Sequence, residues 1–203
     1  MEQLQLFSES VGRPPTPPPG HKRDVIFYAL LLGTQVFRPA SRLVTAVRQA
    51  HGVTERMRTT DTFHISVLGL GHVDELSEDD VQLGIGIAED VAFEPFELVF
   101  SELLSWGGNK TETASCPLVL TCSAGDVGVL RLAARLMTAM IARGFRPRSF
   151  APHTPHLTLL YDTVRVPKTV LDPPITVQVE GFSLVHSHRG ESEYSVLWPP
   201  RGR

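Results

Sequence analysis

Apolar residues along this chain alternate between strand-like runs and helical spacing. Val25-Ile26-Phe27-Tyr28-Ala29-Leu30-Leu31 is a continuous apolar run of strand length and predicts a buried strand. Residues 40–51 then read as a helix, with Leu43, Val44 and Val47 on one face and Gly52 as its stop. Thr62 to Leu70 returns to a strand pattern. Ser77, with Asp80 three residues on, resembles a capping box that opens a helix, weakened by Gly84 and Gly86. Strands are expected at 96–105 and 116–122. Across 126–143, Val129, Leu130, Ala133, Leu136, Met137, Met140 and Ile141 recur at helical spacing, and Gly144 ends the helix. A strand at 155–161 follows. Two closing strands, 174–185 and 192–198, are joined by the turn-forming Arg189-Gly190-Glu191. Strand–helix–strand thus occurs in both halves. The expectation is an α+β fold of two similar lobes, not a parallel doubly wound sheet.

The first 23 residues break this pattern. Arg13-Pro14-Pro15-Thr16-Pro17-Pro18-Pro19-Gly20 supplies neither helix nor ladder hydrogen bonds, so residues 1–23 are expected as a flexible, extended arm. Residues 24–203 are then expected to form one bilobal domain. With 203 residues, 42% hydrophobic and 20% charged, the chain has enough apolar material for one substantial core. The longest apolar run, Val25 to Leu32, is too short to span a bilayer, and no signal-like n-region precedes it. A cytoplasmic monomer with no membrane partner is expected. Cys116 and Cys122, about 20 Å apart along one strand, cannot pair and read as reduced structural thiols. A formal charge of −3 argues against broad binding to duplex nucleic acid, which needs a basic face. A substrate with one or two phosphates is compatible with it.

Two tetrapeptides carry candidate chemistry. His64-Ile65-Ser66-Val67 falls in the second strand of the first half, and His156-Leu157-Thr158-Leu159 in the corresponding strand of the second. Alternate side chains of a strand share a face. His64 and Ser66 therefore point one way while Ile65 and Val67 enter a core, and His156 and Thr158 do the same against Leu157 and Leu159. Opening a cyclic phosphate requires a base for the attacking water and an acid for the departing sugar oxygen. Histidine is the residue whose ordinary pKa lets one copy be neutral and another protonated near neutrality. Hydroxyls beside them can donate to the phosphate oxygens on which charge builds. One His-x-Ser/Thr-x strand is usually a polar surface; two at matching places in two halves are harder to dismiss.

The paired motifs resemble those of the 2H phosphoesterases, and their context is similar to the bacterial RNA 2′,3′-cyclic phosphodiesterases, also called 2′-5′ RNA ligases. The resemblance rests on Val25-Ile26-Phe27-Tyr28-Ala29-Leu30, Phe63-His64-Ile65-Ser66-Val67-Leu68-Gly69 and Pro155-His156-Leu157-Thr158-Leu159-Leu160-Tyr161, and it covers residues 24–198. It implies two antiparallel sheets facing across a central cleft with helices outside. It further implies His64 as proton donor, His156 as proton acceptor, and Ser66 and Thr158 on the phosphate, with no cofactor. The implied activity is metal-independent opening of 2′,3′-cyclic RNA ends to 2′-phosphates, with ATP-independent 2′-5′ ligation as a further outcome. Two departures stand out. Ser66 replaces the usual threonine, which keeps the hydroxyl but frees its rotamer. Tyr161 stands where close relatives often carry arginine, which leaves room for another small cyclic phosphate, ADP-ribose-derived or a cyclic nucleotide. A non-catalytic RNA-end binding module is the alternative from another class; intact histidines in both motifs argue against it.

Other residues are weaker candidates. Arg146 and Arg148 on a Pro-containing loop are positioned in sequence to meet phosphate, although loop arginines are more often only solvated. Trp106 is a candidate to stack a base at the cleft rim or to fill the core. His153 and His156 have a spacing found in metal sites, but with Pro155 between them and no matching ligands no metal is expected. His186 and His188 share a face at a strand end and read as surface residues. Gln3-Leu4-Gln5-Leu6-Phe7 resembles the peptide by which bacterial proteins dock on the polymerase sliding clamp; the other reading is a hydrophobic anchor folding back on the domain.

Overall fold

The computed structural model describes residues 23–107, 114–124, 126–145, 154–188 and 193–199. The N-terminal arm, with Gln3 to Phe7, lies outside them, as do Arg146, Arg148, His153 and the 189–191 turn.

The elements run β1 (Val25–Leu31), α1 (Gly33–His51), β2 (His64–His72), α2 (Glu78–Asp90), β3 (Phe96–Ser105), β4 (Cys116–Ala124), α3 (Asp126–Ala142), β5 (His156–Asp162), β6 (Thr169–Val179), β7 (Ser183–His188) and β8 (Glu193–Trp198). They form two four-stranded antiparallel sheets, ordered β2-β1-β7-β8 and β5-β4-β3-β6. Each sheet places a strand–helix–strand unit at one side, β1-α1-β2 in the first and β4-α3-β5 in the second. The histidine strand is the edge strand in both. The fold is the expected bilobal α+β arrangement.

Where the apolar pattern is clean, sequence and structure agree. β1 buries Ile26 through Leu30. Ser77 caps α2, its hydroxyl accepting from the Asp80 N–H while the Asp80 carboxylate accepts from the Ser77 N–H. α1 ends on Gly52, in the left-handed region at φ 76°, where glycine carries no Cβ penalty. Gly84, expected to weaken α2, instead lets it sit close. A Cβ there would come within 2.9 Å of a Leu70 methyl, and the Gly84 carbonyl accepts the hydroxyl of fully buried Tyr28 at 2.9 Å.

Three expectations need correction. α1 begins at Gly33, not residue 40, and Pro39 lies within it. Val36 and Ala40 extend the buried stripe that continues through Val44 and Val47, and this packing outweighs the hydrogen bond lost at proline. The 174–185 strand is two strands in different sheets. Thr169–Val179 lies at the edge of the second, where Pro173 and Pro174 are tolerated, and the chain crosses at 180–182 to start β7 in the first. On α3, Leu130 and Ile141 are exposed, and the buried stripe is Val129, Leu132, Leu136 and Met140.

One core joins both lobes, from Tyr28 and Leu30 to Leu98, Leu120, Leu157 and Leu159. α1 touches β6 and α3 touches β2, so each helix braces the opposite sheet. A smaller apolar patch of Phe27, Ala29 and Val185, with Val25, Tyr194 and Val196 around it, covers the other face of the first sheet. Cys116 and Cys122 are free and buried, and burial pushes the Cys122 thiol up to about 12. Among the described residues no helix is long and apolar enough to cross a membrane.

Candidate active site

The alternation expected for the two motifs is present. His64 and Ser66 are half-buried while Ile65 and Val67 are buried, and His156 and Thr158 are half-buried while Leu157 and Leu159 are buried. In the first sheet the ladder sets Ser66 across from Ala29 and continues through Ser183, so His64 and Ser66 share a face with Phe27, Ala29 and Val185. α2 packs on the opposite face, through Tyr28 and Leu70. In the second sheet His156 pairs with Thr121 and Thr158 with Val119, opposite in face to Leu157 and Leu120. β2 and β5, the two histidine strands, pack against each other.

Both histidines are fixed by the same backbone device. Nδ1 of His64 donates to the Thr62 carbonyl at 2.9 Å, and Nδ1 of His156 donates to the Thr154 carbonyl at 3.0 Å. A carbonyl oxygen can only accept, so the proton sits on Nδ1 in each neutral ring. Nε2 is therefore the nitrogen that takes up or gives away a proton. The bond to residue i−2 arises where the chain enters each strand, so motif and local geometry specify the tautomer together. Neither the Ser66 nor the Thr158 hydroxyl bonds another described residue.

The aromatic neighbours differ. Around His64, Phe27 lies at 5.2 Å between ring centroids and Tyr194 at 5.0 Å, edge-on. The Tyr194 hydroxyl is 3.2 Å from His64 Nδ1 and accepts from Arg58 Nη2 at 3.2 Å. Around His156, Trp106 meets the imidazole edge-on at 4.4 Å. Trp106, half-buried beside the second histidine, neither fills the core nor stands clear of the protein. Tyr161 is exposed at the end of β5.

Arg58 and Asp162 were not anticipated. Asp162 closes β5 with its carboxylate buried. It accepts the N–H groups of Thr54 (2.9 Å) and Glu55 (3.0 Å) from the segment after α1, and of Val164 at 2.8 Å. Burial pushes its carboxyl up, but these N–H donors outweigh it and hold the group below the usual carboxylate range. The same segment is tied to the second motif by the Arg58 N–H, which donates to the Leu159 carbonyl at 2.8 Å. Arg58 thus spans the lobes, its backbone on β5 and its guanidinium on Tyr194 beside His64. Its Nε is buried without a partner among the described residues. On the second sheet Thr121 donates to Glu102 at 3.3 Å, and Lys168 pairs with Glu102 at 2.6 Å. No spacing in the sequence links Arg58 or Tyr194 to His64; tertiary contact alone joins them.

No family model and no curated protein matches the sequence. Solved structures do match the fold. TT0787 of Thermus thermophilus is 25% identical, with a TM-score of 0.62 over 85% of this chain and 94% of that one. LigT of E. coli, in complex with NADP+, is 20% identical, with a TM-score of 0.58 over 87% of this chain and 96% of that one. LigT has also been crystallised with ATP, 3′-AMP and phosphate. A protein described only as a phosphoesterase is 20% identical with a TM-score of 0.56, over 86% of this chain and 94% of that one. The chain has the bilobal fold of these proteins, the 2H phosphoesterase fold.

Proposed function

We propose that the chain is a metal-independent phosphodiesterase that opens 2′,3′-cyclic phosphates at RNA ends, with 2′-5′ ligation as the same chemistry using a ribose hydroxyl in place of water. The observation that carries this is the matched pair of imidazoles, each held by an Nδ1–H bond to the carbonyl two residues back. Such a pair has two Nε2 atoms ready for opposite roles. His156 Nε2 removes a proton from water as its oxygen attacks phosphorus. His64 Nε2 protonates the sugar 3′-oxygen as the P–O3′ bond breaks, which leaves the phosphate on the 2′-oxygen. His156 then holds a proton and His64 has given one up, and exchange with solvent resets both. Ser66 and Thr158, with hydroxyls not committed to other described residues, donate to the non-bridging oxygens.

Arg58 supplies the positive charge that an arginine at position 161 would bring in relatives. Its guanidinium lies behind Tyr194 on the Nδ1 side of His64, so its charge favours an anion at the site from a distance and not by contact. The complexes of LigT with 3′-AMP and phosphate, in the same fold, support a ribonucleotide phosphate as ligand.

The test is a panel of cyclic phosphates incubated with purified protein under chelator. It comprises a 2′,3′-cyclic-ended dinucleotide, a 3′,5′-cyclic nucleotide and a cyclic phosphate derived from ADP-ribose. Phosphorus NMR should show the dinucleotide turned over fastest, to a 2′-phosphate. A predominant 3′-phosphate would reverse the orientation of the sugar, and turnover of none of the three would refute the activity.

A further inference from the structure

On the outer side of the first sheet, Asp24, His186 and His188 bring one carboxylate oxygen and two imidazole nitrogens within 4.8 Å of one another. The positions follow from the ladder. Ile26 pairs with His186 and Val25 with Ser187, so one further step sets Asp24 across from His188. Asp24, Ile26 and Tyr28 share a face, as do His186 and His188. This is the face opposite Phe27 and Val185, hence opposite the candidate active site. Both histidines, read from sequence as surface residues, are more than two-thirds covered, with side-chain exposures of 21% and 27%.

The two imidazoles converge on a single atom. His186 Nε2 lies 2.9 Å and His188 Nδ1 3.5 Å from Asp24 Oδ2, with the rings 4.0 Å apart. A carboxylate oxygen can accept from both rings at once, but two protonated rings at this separation would repel. The same three atoms also have the spacing to hold a divalent cation between them. Zinc bonds of about 2.0–2.1 Å in a tetrahedron set ligand atoms about 3.4 Å apart, and the two carboxylate–imidazole separations, 2.9 and 3.5 Å, bracket that value. The supporting contact is in place as well. His188 Nε2 lies 2.8 Å from the Ser195 hydroxyl, which can accept its proton in an outer hydrogen bond when Nδ1 holds a metal. Arg23, the residue before Asp24, is turned onto Asp74 (2.6 Å) and Glu75 (2.7 Å).

We propose that Asp24, His186 and His188 form a structural site for a late first-row divalent cation, Zn²⁺ or its neighbours Co²⁺ and Ni²⁺, with water completing the coordination. Two imidazoles and a carboxylate are the donor set that favours these ions over Mg²⁺ or Ca²⁺. The site pins the start of β1 to β7 and, through Ser195, to β8. It takes no part in chemistry at His64 and His156, because it lies on the other face of the sheet.

Tag-free, full-length protein stripped with chelator and dialysed is titrated with Zn²⁺ against a chromophoric chelator, and its melting is followed with and without the ion. One equivalent should bind with a Kd below about 1 μM and raise the Tm. Asp24→Asn and His188→Gln should each weaken binding at least 100-fold and abolish the Tm shift. Ser195→Ala keeps all three ligands and should weaken binding about 10-fold, so it tests the site even if a ligand variant folds poorly. In the wild type, Co²⁺ should give the visible d–d bands of a tetrahedral site. No saturable binding in the wild type, or undiminished binding in Asp24→Asn and His188→Gln, would overturn the proposal. A His64→Gln/His156→Gln variant should still bind one equivalent; loss of the ion there would place the metal in the cleft and overturn it too. None of these readouts depends on turnover, so failure here leaves the proposed activity standing.

Discussion

His64 and His156 enter their strands alike, each donating Nδ1–H to the carbonyl two residues back, yet among the described residues their side-chain neighbours differ. His64 has a tyrosine hydroxyl at the same Nδ1, an arginine behind that tyrosine, and two aromatic rings about it. His156 has one indole edge and, across the ladder, Thr121 hydrogen-bonded to Glu102. The repeated part is backbone and fixes the tautomer. The part that differs is side chain, and side chains decide which ring keeps its proton. In the proposed mechanism two lobes of the same plan take opposite roles, and the predictions that follow probe that division.

The largest effect should come from removing either ring. His64→Ala and His156→Ala should each lower turnover of a 2′,3′-cyclic-ended dinucleotide by about 10²–10⁴-fold, with the circular dichroism spectrum unchanged. A variant of either residue with wild-type turnover would break the pairing.

Next is Asp162, which ties the segment after α1 to the end of β5. Asp162→Ala leaves three backbone N–H groups without their acceptor and should cost about 2–4 kcal/mol in denaturant unfolding. Because its folded-state pKa is depressed, its contribution is fully present above the ordinary carboxylate pKa of about 3.9 and lost as pH falls through the lower folded value. The stability gap between wild type and variant should therefore close in acid. A gap that stays constant from neutrality to about pH 2 would contradict the assigned hydrogen bonding.

Charge near the phosphate and contacts to it should matter less than proton transfer. Arg58→Ala, which removes a positive charge behind Tyr194, should lower kcat/KM by about 10-fold, with Arg58→Lys recovering part of it. Ser66→Ala and Thr158→Ala should each cost roughly 5–20-fold. The smallest and most asymmetric effect is expected for Tyr194→Phe, a loss of a few-fold at most. It should shift only the limb of the pH–rate profile that reports His64, because among the described residues no tyrosine hydroxyl stands at that place beside His156. A shift in both limbs would mean that the two surroundings are coupled.

Legibility followed the source of the signal. The motif strands were readable because their buried and cleft faces differ in polarity, so a period of two survives from His64 to Val67 and from His156 to Leu159. The break between β6 and β7 was readable in principle. Buried Val177 and Val179 are followed by buried Phe182 and Leu184, a change of phase at Glu180-Gly181 that one unbroken strand cannot make. The first turns of α1 were hidden by Gly33 and Pro39, local breakers overruled by packing of Val36 and Ala40. Arg58 and Tyr194 left no mark in the sequence, for they meet across 136 positions only when the sheets assemble. Likewise Asp24, His186 and His188 are a His-x-His pair and a distant carboxylate until β1 pairs with β7.

The central claim is that one histidine is the base and the other the acid. Its most direct test is the single-turnover rate on a 2′,3′-cyclic-ended dinucleotide, with enzyme in excess and EDTA present, from about pH 5 to 9. The wild type should give a bell. His156→Ala, on its much lower rate, should lose the acid limb because that limb reports deprotonation of the base, and His64→Ala should lose the alkaline limb. A flat wild-type profile, or variants that both retain the full bell, would contradict the account.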